Sequence, residues 1–267
     1  MTLYHLFLVA AIQGITEFLP VSSSGHLILL PNLTNLDDQG QVIDVAVHVG
    51  TLMAVILFFR KDMRLAFSGI PDLLGGRMDT PGARLAFLLL IATIPVVFVG
   101  LILQITGIAA SMRSITVVGW AMLLFGILLW WMDQKGPAHK TEAEWTLRDA
   151  IILGLWQAVA LIPGASRSGT TITGARHLGY NRHDAAKLAM LMSVPTILAS
   201  GTLLVIQTAP YATEELLRDG LISAVFSCIA ALLALSLMMR LLRSVSFTPY
   251  VIYRIAIGVA LLWIAYT

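Results

Sequence analysis

The chain has 267 residues, of which 58% are hydrophobic and only 12% are charged, with a formal net charge of +2. Soluble domains carry about 25% charged residues, so this composition excludes an ordinary soluble protein, and nothing in it points to nucleic-acid binding. Several apolar runs reach or approach the ~20 residues that cross a bilayer, so we predict an all-α polytopic membrane protein. The single cysteine, Cys228, excludes a disulfide framework.

The first half of the chain opens with two short apolar runs. Residues 2–19 form the first run, and the polar turn VSSSGH at residues 21–26 separates it from a second run that ends at Pro31. Irregular backbone at membrane depth is tolerated only where protein buries it or where it lines a wet cavity. We therefore predict a re-entrant helix pair, followed by a polar loop at residues 32–40. Full spans are predicted at residues 41–59, 84–105 and 114–132, and a surface helix in the linker between the first two.

The second half repeats this order. The polar loop 134–145 is predicted to be cytoplasmic and to join halves 1–133 and 146–267 of a single integral membrane domain, residues 1–267. An apolar run at residues 150–162, the turn PGASRSGTT at residues 163–171 and a short piece to His177 form a second broken pair. Three more spans are predicted at residues 184–206, 217–239 and 249–266.

A shift of 144 positions relates the two broken pairs. It places Gln13 on Gln157, Ser22 on Ser166, Ser24 on Ser168 and Gly25 on Gly169. Lys and Arg concentrate in four segments, which the positive-inside rule assigns to the cytoplasm: residues 60–84, 135–148, 176–187 and 240–243. The halves then have opposite orientations, which predicts an inverted repeat whose polar turns meet near the middle of the membrane.

The second turn carries the strongest candidate, Arg167. A cation at membrane depth costs roughly 2.5–3.5 kcal/mol on insertion scales, so it needs an anionic partner. Small hydroxyl residues and glycine let a backbone present N–H and O–H donors to an anion, and a guanidinium matches phosphate oxygens. We interpret the turn as a phosphate cradle of Arg167, Ser166, Ser168 and Thr170. The alternative is that the hydroxyl residues cap a short helix that starts near Gly169.

The first turn carries an acid. Glu17 is predicted to be a metal ligand or an acid/base group, because an intramembrane carboxylate is a functional candidate by default. The alternative is a structural pair with Arg167. Gln13 lies one helical turn earlier on the same face and is predicted to support the metal. Asp44 and His48 share a face of the next span, and we interpret them as a structural pair.

His26 follows the three serines of the first turn. A hydroxyl beside an imidazole and an acid fits a nucleophile with its base, so Ser23 and His26 are predicted to be catalytic together with Glu17. The alternative for His26 is a hydrogen-bonding residue of the fold. Ser22 and Ser24 are predicted phosphate donors, with cap and turn residues as the alternative.

These motifs resemble those of the undecaprenyl-diphosphate phosphatase family, also called the bacitracin-resistance phosphatases. The resemblance rests on QGITEFLPVSSSGH (13–26), IDVAVHVGTLMAV, PGASRSGTT (163–171) and FTPYVIYR near the end of the chain. It implies hydrolysis of undecaprenyl diphosphate to the monophosphate with a divalent cation, Mg²⁺ or Ca²⁺. It also implies a homodimer in the bacterial cytoplasmic membrane, an active site open to the outer face, and a role in recycling the lipid carrier of peptidoglycan synthesis. Glu is common in the family where this chain has Gln13, so Gln13 is at most a neutral hydrogen-bonding or metal-orienting group.

Two other functions fit the same pattern. Inverted repeats, broken helices and polar residues at the membrane middle are also typical of transporters, so a lipid-phosphate flippase or an ion-coupled carrier is the alternative. A structural partner in a cell-wall complex is a third. For the phosphatase, a phospho-enzyme on Ser23 and direct attack by water both remain open.

Overall fold

The computed structural model describes residues 1–34, 39–211 and 213–267, and regular secondary structure in these ranges is helical apart from one isolated bridge between Lys140 and Tyr180. The predicted all-α fold is confirmed. The α-helices in chain order are α1 (Leu3–Thr16), α2 (Ser23–Thr34), α3 (Gly40–Phe58), α4 (Arg60–Leu74), α5 (Pro81–Ile105), α6 (Ile108–Ser111), α7 (Ile115–Lys135), α8 (Leu147–Val159), α9 (Arg167–His177), α10 (Arg182–Thr208), α11 (Glu214–Leu241) and α12 (Thr248–Tyr266).

Six helices in the described ranges are long and apolar enough to cross a membrane, which fits a multi-pass membrane protein: α3, α5, α7, α10, α11 and α12. They coincide with the six predicted spans, with ends that differ by a few residues. Capping residues explain these differences between the predicted and observed helix ends. For example, α5 begins at Pro81 because Thr80 accepts a hydrogen bond from the N–H of Ala83, and proline suits the first helical position.

The connections differ more from prediction. The predicted surface helix is α4, which buries Met63, Ala66 and Gly69 and exposes most of its charged side chains. Helix α2 continues to Thr34, past the predicted start of the loop at residue 32, and α3 begins at Gly40. The rest of that predicted loop, residues 35–38, lies outside the described residues.

The two short helices α1 and α8 each pack on a long helix through a glycine. A Cβ atom added at Gly14 in α1 would lie 2.6 Å from the carbonyl oxygen of Ser227 in α11, and one added at Gly154 in α8 would lie 2.6 Å from that of Ala92 in α5. Small residues permit such close helix approaches in membranes. Both short helices then end at a non-helical turn, at residues 17–22 and 160–166.

A buried charge cluster fixes the loop between the halves. The side chain of Asp133 is fully buried and lies 2.7 Å from Nε of Arg182 and 3.3 Å from Nε of Arg176. Asp133 also accepts a hydrogen bond from the N–H of Phe247 at 3.2 Å, and Arg176 donates to the carbonyl oxygen of Gly136 at 3.1 Å. This one carboxylate therefore joins α7, α9, α10 and the start of α12.

Replacing Asp133 with asparagine should strongly destabilise the protein. The change leaves the guanidinium of Arg176, which is 2% exposed, without its counter-charge, and breaking a buried ion pair costs about 3–5 kcal/mol. Thermal unfolding of the purified variant in detergent would measure the loss. Asp72→Asn is the matched control, because its partner Arg77 is 68% exposed and such pairs contribute about 0–1 kcal/mol. Equal effects of the two changes would contradict the assignment.

Candidate active site

Two serines place the polar turns in the same unusual backbone conformation. Ser22 and Ser166 both have φ of 71°, and among the described residues they are the non-glycine residues with positive φ. Each precedes a helix, and the hydroxyl oxygens of Ser22 and Ser24 lie 3.1 Å apart, as do those of Ser166 and Ser168. Backbone held in this region stores strain and is concentrated at functional sites.

The two turns meet at Glu17. Nη2 of Arg167 donates to Oε1 of Glu17 at 2.6 Å, while the Ser23 hydroxyl donates to Oε2 at 2.9 Å and Nε2 of Gln13 donates to Oε2 at 2.8 Å. The side chains of Glu17 and Arg167 are 8% and 16% exposed. The structure thus brings together four of the predicted site residues in one hydrogen-bonded chain.

Three of these four residues, Glu17, Ser23 and Arg167, line a cavity of about 470 Å³. Polar side chains line one part of it: Glu17, Ser22, Ser23, Ser24, His48, Gln157, Ser166, Arg167 and Thr196. The other lining residues come from α5, α10 and the turn after α8 and are mostly apolar, with Gln104 and Ser200 as the polar ones: Val96, Val97, Gly100, Leu101, Ala160, Leu161, Ile197, Ala199 and Leu203. An apolar pocket with a few convergent polar groups is the usual form of a ligand site. This one suits a molecule with a charged head and an apolar tail.

The hydroxyls of two predicted phosphate donors, Ser168 and Thr170, donate to backbone carbonyl oxygens instead. The Ser168 hydroxyl donates to the carbonyl oxygen of Leu19 at 2.9 Å, and the Thr170 hydroxyl donates to that of Ser166 at 3.0 Å. Ser168 and Thr170 are 2% and 1% exposed. Ser168 therefore ties the second turn to the first, and Thr170 completes the first turn of α9.

His26 lies behind the first turn rather than on the cavity. Its Nδ1 is 2.7 Å from the carbonyl oxygen of Ser22, so this nitrogen carries the hydrogen, because a carbonyl can only accept. Its Nε2 is 2.7 Å from the hydroxyl of Tyr253, whose ring stacks on the imidazole with centroids 5.5 Å apart. Both nitrogens are thus used in fixing the turn that carries Ser23.

The imidazole that lines the cavity belongs to His48. Its Nδ1 lies 2.7 Å from the carbonyl oxygen of Asp44, and its Nε2 lies 3.9 Å from Oε2 of Glu17. The Asp44 contact places the hydrogen on Nδ1, so a neutral His48 presents the lone pair of Nε2. The sequence pattern predicted a structural pair of His48 with Asp44, whereas the structure places His48 on the cavity. A titratable side chain inside a predicted span is the signal that could have assigned it to the site.

Arg254 in α12 contacts both turns, although it was not among the residues predicted for the site. It is fully buried, and its guanidinium donates to the carbonyl oxygens of Gly164 and Ala165 at 3.0 Å and lies 3.5 Å from those of Pro20 and Ala121. Within the described ranges no acidic side chain forms an ion pair with it. Its partners are instead carbonyl groups: those of Pro20, Gly164 and Ala165 lie in the two turns, outside any helix, and that of Ala121 lies within α7.

The predicted metal ligands fit a resident cation poorly. Glu17 already accepts hydrogen bonds from three donors, and Gln13 turns its NH₂ group, not its carbonyl oxygen, toward the carboxylate. Mg²⁺ in proteins is usually bound by one or two carboxylates together with water and phosphate oxygens, whereas Ca²⁺ takes six to eight oxygen ligands. Among the described residues, no group of three or more His, Cys, Asp or Glu side chains could hold a metal ion. Glu17 is thus satisfied by its three donors, while the buried carbonyl oxygen of Gln13 has no hydrogen-bond partner, and the metal site at Glu17 and Gln13 stays a prediction.

The matches to known proteins extend over every residue of the site. The family of the bacitracin resistance protein BacA matches residues 6–260. Proteins named undecaprenyl-diphosphatase from Ruegeria pomeroyi and Dinoroseobacter shibae are each 66% identical over 267 residues, which is all of both chains. One with the same name from Aliivibrio salmonicida is 40% identical over 270 residues, again covering both chains fully.

Arg254→Lys should lower turnover of a prenyl diphosphate, the activity that the sequence resemblance implies. A lysine ammonium is a point charge on a flexible stem and cannot bridge carbonyl groups of two turns as a planar fork does. We expect kcat to fall about tenfold or more, equivalent to ~1.4 kcal/mol or more in the barrier, with a smaller change in KM. Arg113→Lys, at an exposed arginine, is the control. Unchanged kcat in Arg254→Lys would show that the contacts do not position the site.

Proposed function

The chain belongs to the family of the bacitracin resistance protein BacA, and we propose that the cavity between its two serine turns is its active site. The protein is an undecaprenyl-diphosphatase: it hydrolyses undecaprenyl diphosphate to undecaprenyl phosphate and inorganic phosphate. The observation that supports the site is the chain of hydrogen bonds from Arg167 through Glu17 to Ser23 at the polar end of an amphipathic cavity. The product monophosphate re-enters cell-wall synthesis as lipid carrier.

In this proposal, residues of the second turn and serines of the first turn hold the diphosphate. Arg167, Ser22, Ser24 and Ser166 all line the polar end, where they offer guanidinium and hydroxyl donors to phosphate oxygens. Helix α9 begins at Arg167, so its N-terminus adds the positive end of a helix dipole. The apolar part of the cavity takes the first isoprene units of the tail.

Ser23 is the nucleophile in this proposal. Its oxygen forms a bond to the terminal phosphorus, while the bond from that phosphorus to the bridging oxygen breaks and releases undecaprenyl phosphate. Glu17 accepts the hydroxyl proton, because its Oε2 is the acceptor 2.9 Å away. Water then hydrolyses the phosphoserine. In the alternative without a phospho-enzyme, the same carboxylate takes a proton from the attacking water.

His26 and His48 have different roles in the proposed mechanism. The predicted catalytic role of His26 is exerted through the turn, because its Nδ1 holds the Ser22 carbonyl next to Ser23. His48 faces the cavity beside Glu17 and is available to the reacting groups. A divalent cation, Mg²⁺ or Ca²⁺, stays a prediction; bound to phosphate oxygens, it would offset their charge.

The architecture is proposed to be an inverted repeat with two re-entrant helix pairs. Support comes from the equal φ angles and serine contacts of the two turns, and from the matching glycine contacts of α1 and α8. The Lys and Arg distribution favours cytoplasmic loops at residues 60–84 and 134–145. The site then opens to the outer face of the bacterial cytoplasmic membrane. The homodimer stays a prediction.

Phosphate release in detergent tests this function against the transporter. Broken helices and a central polar cavity are the observations that favour a lipid-phosphate flippase or ion-coupled carrier. A transporter needs two compartments, whereas a phosphatase does not. Purified protein in detergent should therefore release inorganic phosphate from a prenyl diphosphate, and the assay is run with and without chelator. Absence of release under every cation condition would favour the transporter or a structural role.

The three serines of the first turn provide a matched test of the nucleophile. Ser23→Ala should lower turnover by at least about 10³-fold, because what remains after loss of a nucleophile comes from the rest of the site. Ser24→Ala should cost only a few-fold, since the Ser24 hydroxyl bonds to Ser22 and not to Glu17. Rapid quench with substrate labelled on the terminal phosphate should trap label on wild type and not on Ser23→Ala. Turnover of Ser23→Ala equal to Ser24→Ala would remove Ser23 as nucleophile.

A further inference from the structure

An apolar groove on the surface of the helix bundle ends at a cluster of arginines. The groove has a volume of about 590 Å³ and is lined by α1, α11 and the start of α12, and two further pockets lie where α11 ends. We propose that the groove binds one anionic phospholipid, whose phosphate lies among Arg182, Arg240 and Arg243 and whose acyl chain lies along α11. This site shares no described residue with the cavity at Arg167, so it is separate from the proposed active site.

The two pockets at the end of the groove are continuous with each other and with the groove. His183 and Arg243 line both pockets, and Leu242 lines both the first pocket and the groove. Helix α11 ends at Leu241, so an apolar and a cationic side chain follow each other directly at its end. A head group in the pockets would therefore have its chains at the mouth of the groove.

The pockets contain more positive charge than their acidic groups can balance. Asp133 is the one carboxylate in the described lining of the first pocket, and it pairs with both Arg176 and Arg182. The second pocket is lined by Arg240 and Arg243, and no carboxylate is among its described lining residues. Two arginines thus share one carboxylate and two have none in the lining, so the site is suited to an anion.

The remaining cation of the second pocket is already neutralised. Nζ of Lys187 lies 2.8 Å from Oδ1 of Asp62 and 2.6 Å from Oε1 of Glu142. The side chain of Arg182 is 36% exposed, and the two arginines at the end of α11 are exposed as well, so all three are open to a ligand. A guanidinium offers paired N–H donors that match the oxygens of a phosphate, which makes arginine the residue expected at such a head group.

The groove has the length and the access that an acyl chain needs. Helix α11 lines it from Phe226 to Leu241, which is roughly 23 Å at 1.5 Å per residue. One leaflet of the hydrocarbon core is about 15 Å thick, so a full acyl chain fits along this stretch. Ile229, Leu233 and Leu237 are between 52% and 67% exposed. The groove is therefore open at its side, and its occupant comes from the surrounding bilayer.

Phospholipid is favoured over the carrier lipid by where the arginines lie. The Lys and Arg distribution favours the cytoplasmic side for residues 176–187 and 240–243, and the negative surface of that leaflet comes from anionic phospholipids. Basic pockets between membrane helices at this face are suited to phospholipid head groups. The phosphates of the carrier lipid have their own proposed site at Arg167, between the two serine turns.

Native mass spectrometry of the wild-type protein tests the charge requirement. Delipidated protein in detergent is titrated with dioleoyl phosphatidylglycerol or, separately, with dioleoyl phosphatidylcholine, and the fraction that carries one lipid is measured. We expect the first phosphatidylglycerol to bind at least about tenfold more tightly than the first phosphatidylcholine, because the two lipids differ in net charge and not in their chains. Equal affinities would overturn the proposal.

The arginines at the end of α11 provide the matched variants. Arg240→Gln combined with Arg243→Gln should weaken phosphatidylglycerol binding at least about tenfold and leave phosphatidylcholine binding unchanged. Arg240→Lys combined with Arg243→Lys keeps the charge and should lose less. Arg113→Gln, at an exposed arginine before the opposite end of α7, is the control and should bind as wild type does. Wild-type affinity in the double glutamine variant would overturn the proposal, and gel filtration shows whether each variant is folded.

Competition on the wild-type protein distinguishes the other occupants. Neither inorganic phosphate nor farnesyl phosphate, at the concentration of the phosphatidylglycerol, should displace it. Displacement by inorganic phosphate would mean that the pockets bind phosphate without the groove, and displacement by farnesyl phosphate would assign the groove to a prenyl lipid. A two-chain species that excludes phosphatidylglycerol would assign it to a second copy of this chain. Each of these results counts against the proposal, and none of them depends on turnover, so a failure of the proposed phosphatase function is detected separately by phosphate release.

Discussion

The ion pair between Arg167 and Glu17 is the interaction on which the rest of the site depends. Each residue alone would be an uncompensated charge among apolar helices, and each lies on a different broken helix pair. Their pairing therefore forces the two turns to meet. Because the partners are 150 residues apart in the chain, the contact also joins the two halves of the protein. Arg167 and Glu17 therefore belong to the proposed active site and also hold the two halves of the fold together.

Broken helices leave carbonyl groups without helical partners, and in a membrane these groups need donors from the protein. Arg254 meets this need for both turns at once, since it reaches Gly164, Ala165 and Pro20 from α12. Ser168 adds a direct bond from the second turn to Leu19 in the first. The irregular backbone that exposes Ser23 and Arg167 to the cavity is thus held by side chains that do not themselves line it.

Sequence patterns predicted much of this arrangement. Span number and order follow from hydropathy alone, and the two turns stand out because Glu17 and Arg167 are charged where their surroundings are apolar. The places of His26, His48 and Arg254 could not be predicted in this way. A histidine near a serine turn can face either side of it, and only the packing of α12 against the turn directs His26 toward Tyr253. Likewise, the depth and rotation of α3 bring His48 to Glu17, and periodicity within one helix does not encode either.

The two turns divide the chemistry between them although their backbones are alike. The first supplies an acid and a hydroxyl, the second a guanidinium, and the serines with positive φ are common to both. A duplicated turn would give two identical half-sites, which could bind an anion but could not distinguish an attacking group from a binding group. The different charges of the two turns create that distinction, while Ser22 and Ser166 keep the same backbone φ in both. In the proposed active site, this difference in charge separates the group that attacks the phosphoanhydride from the groups that bind it.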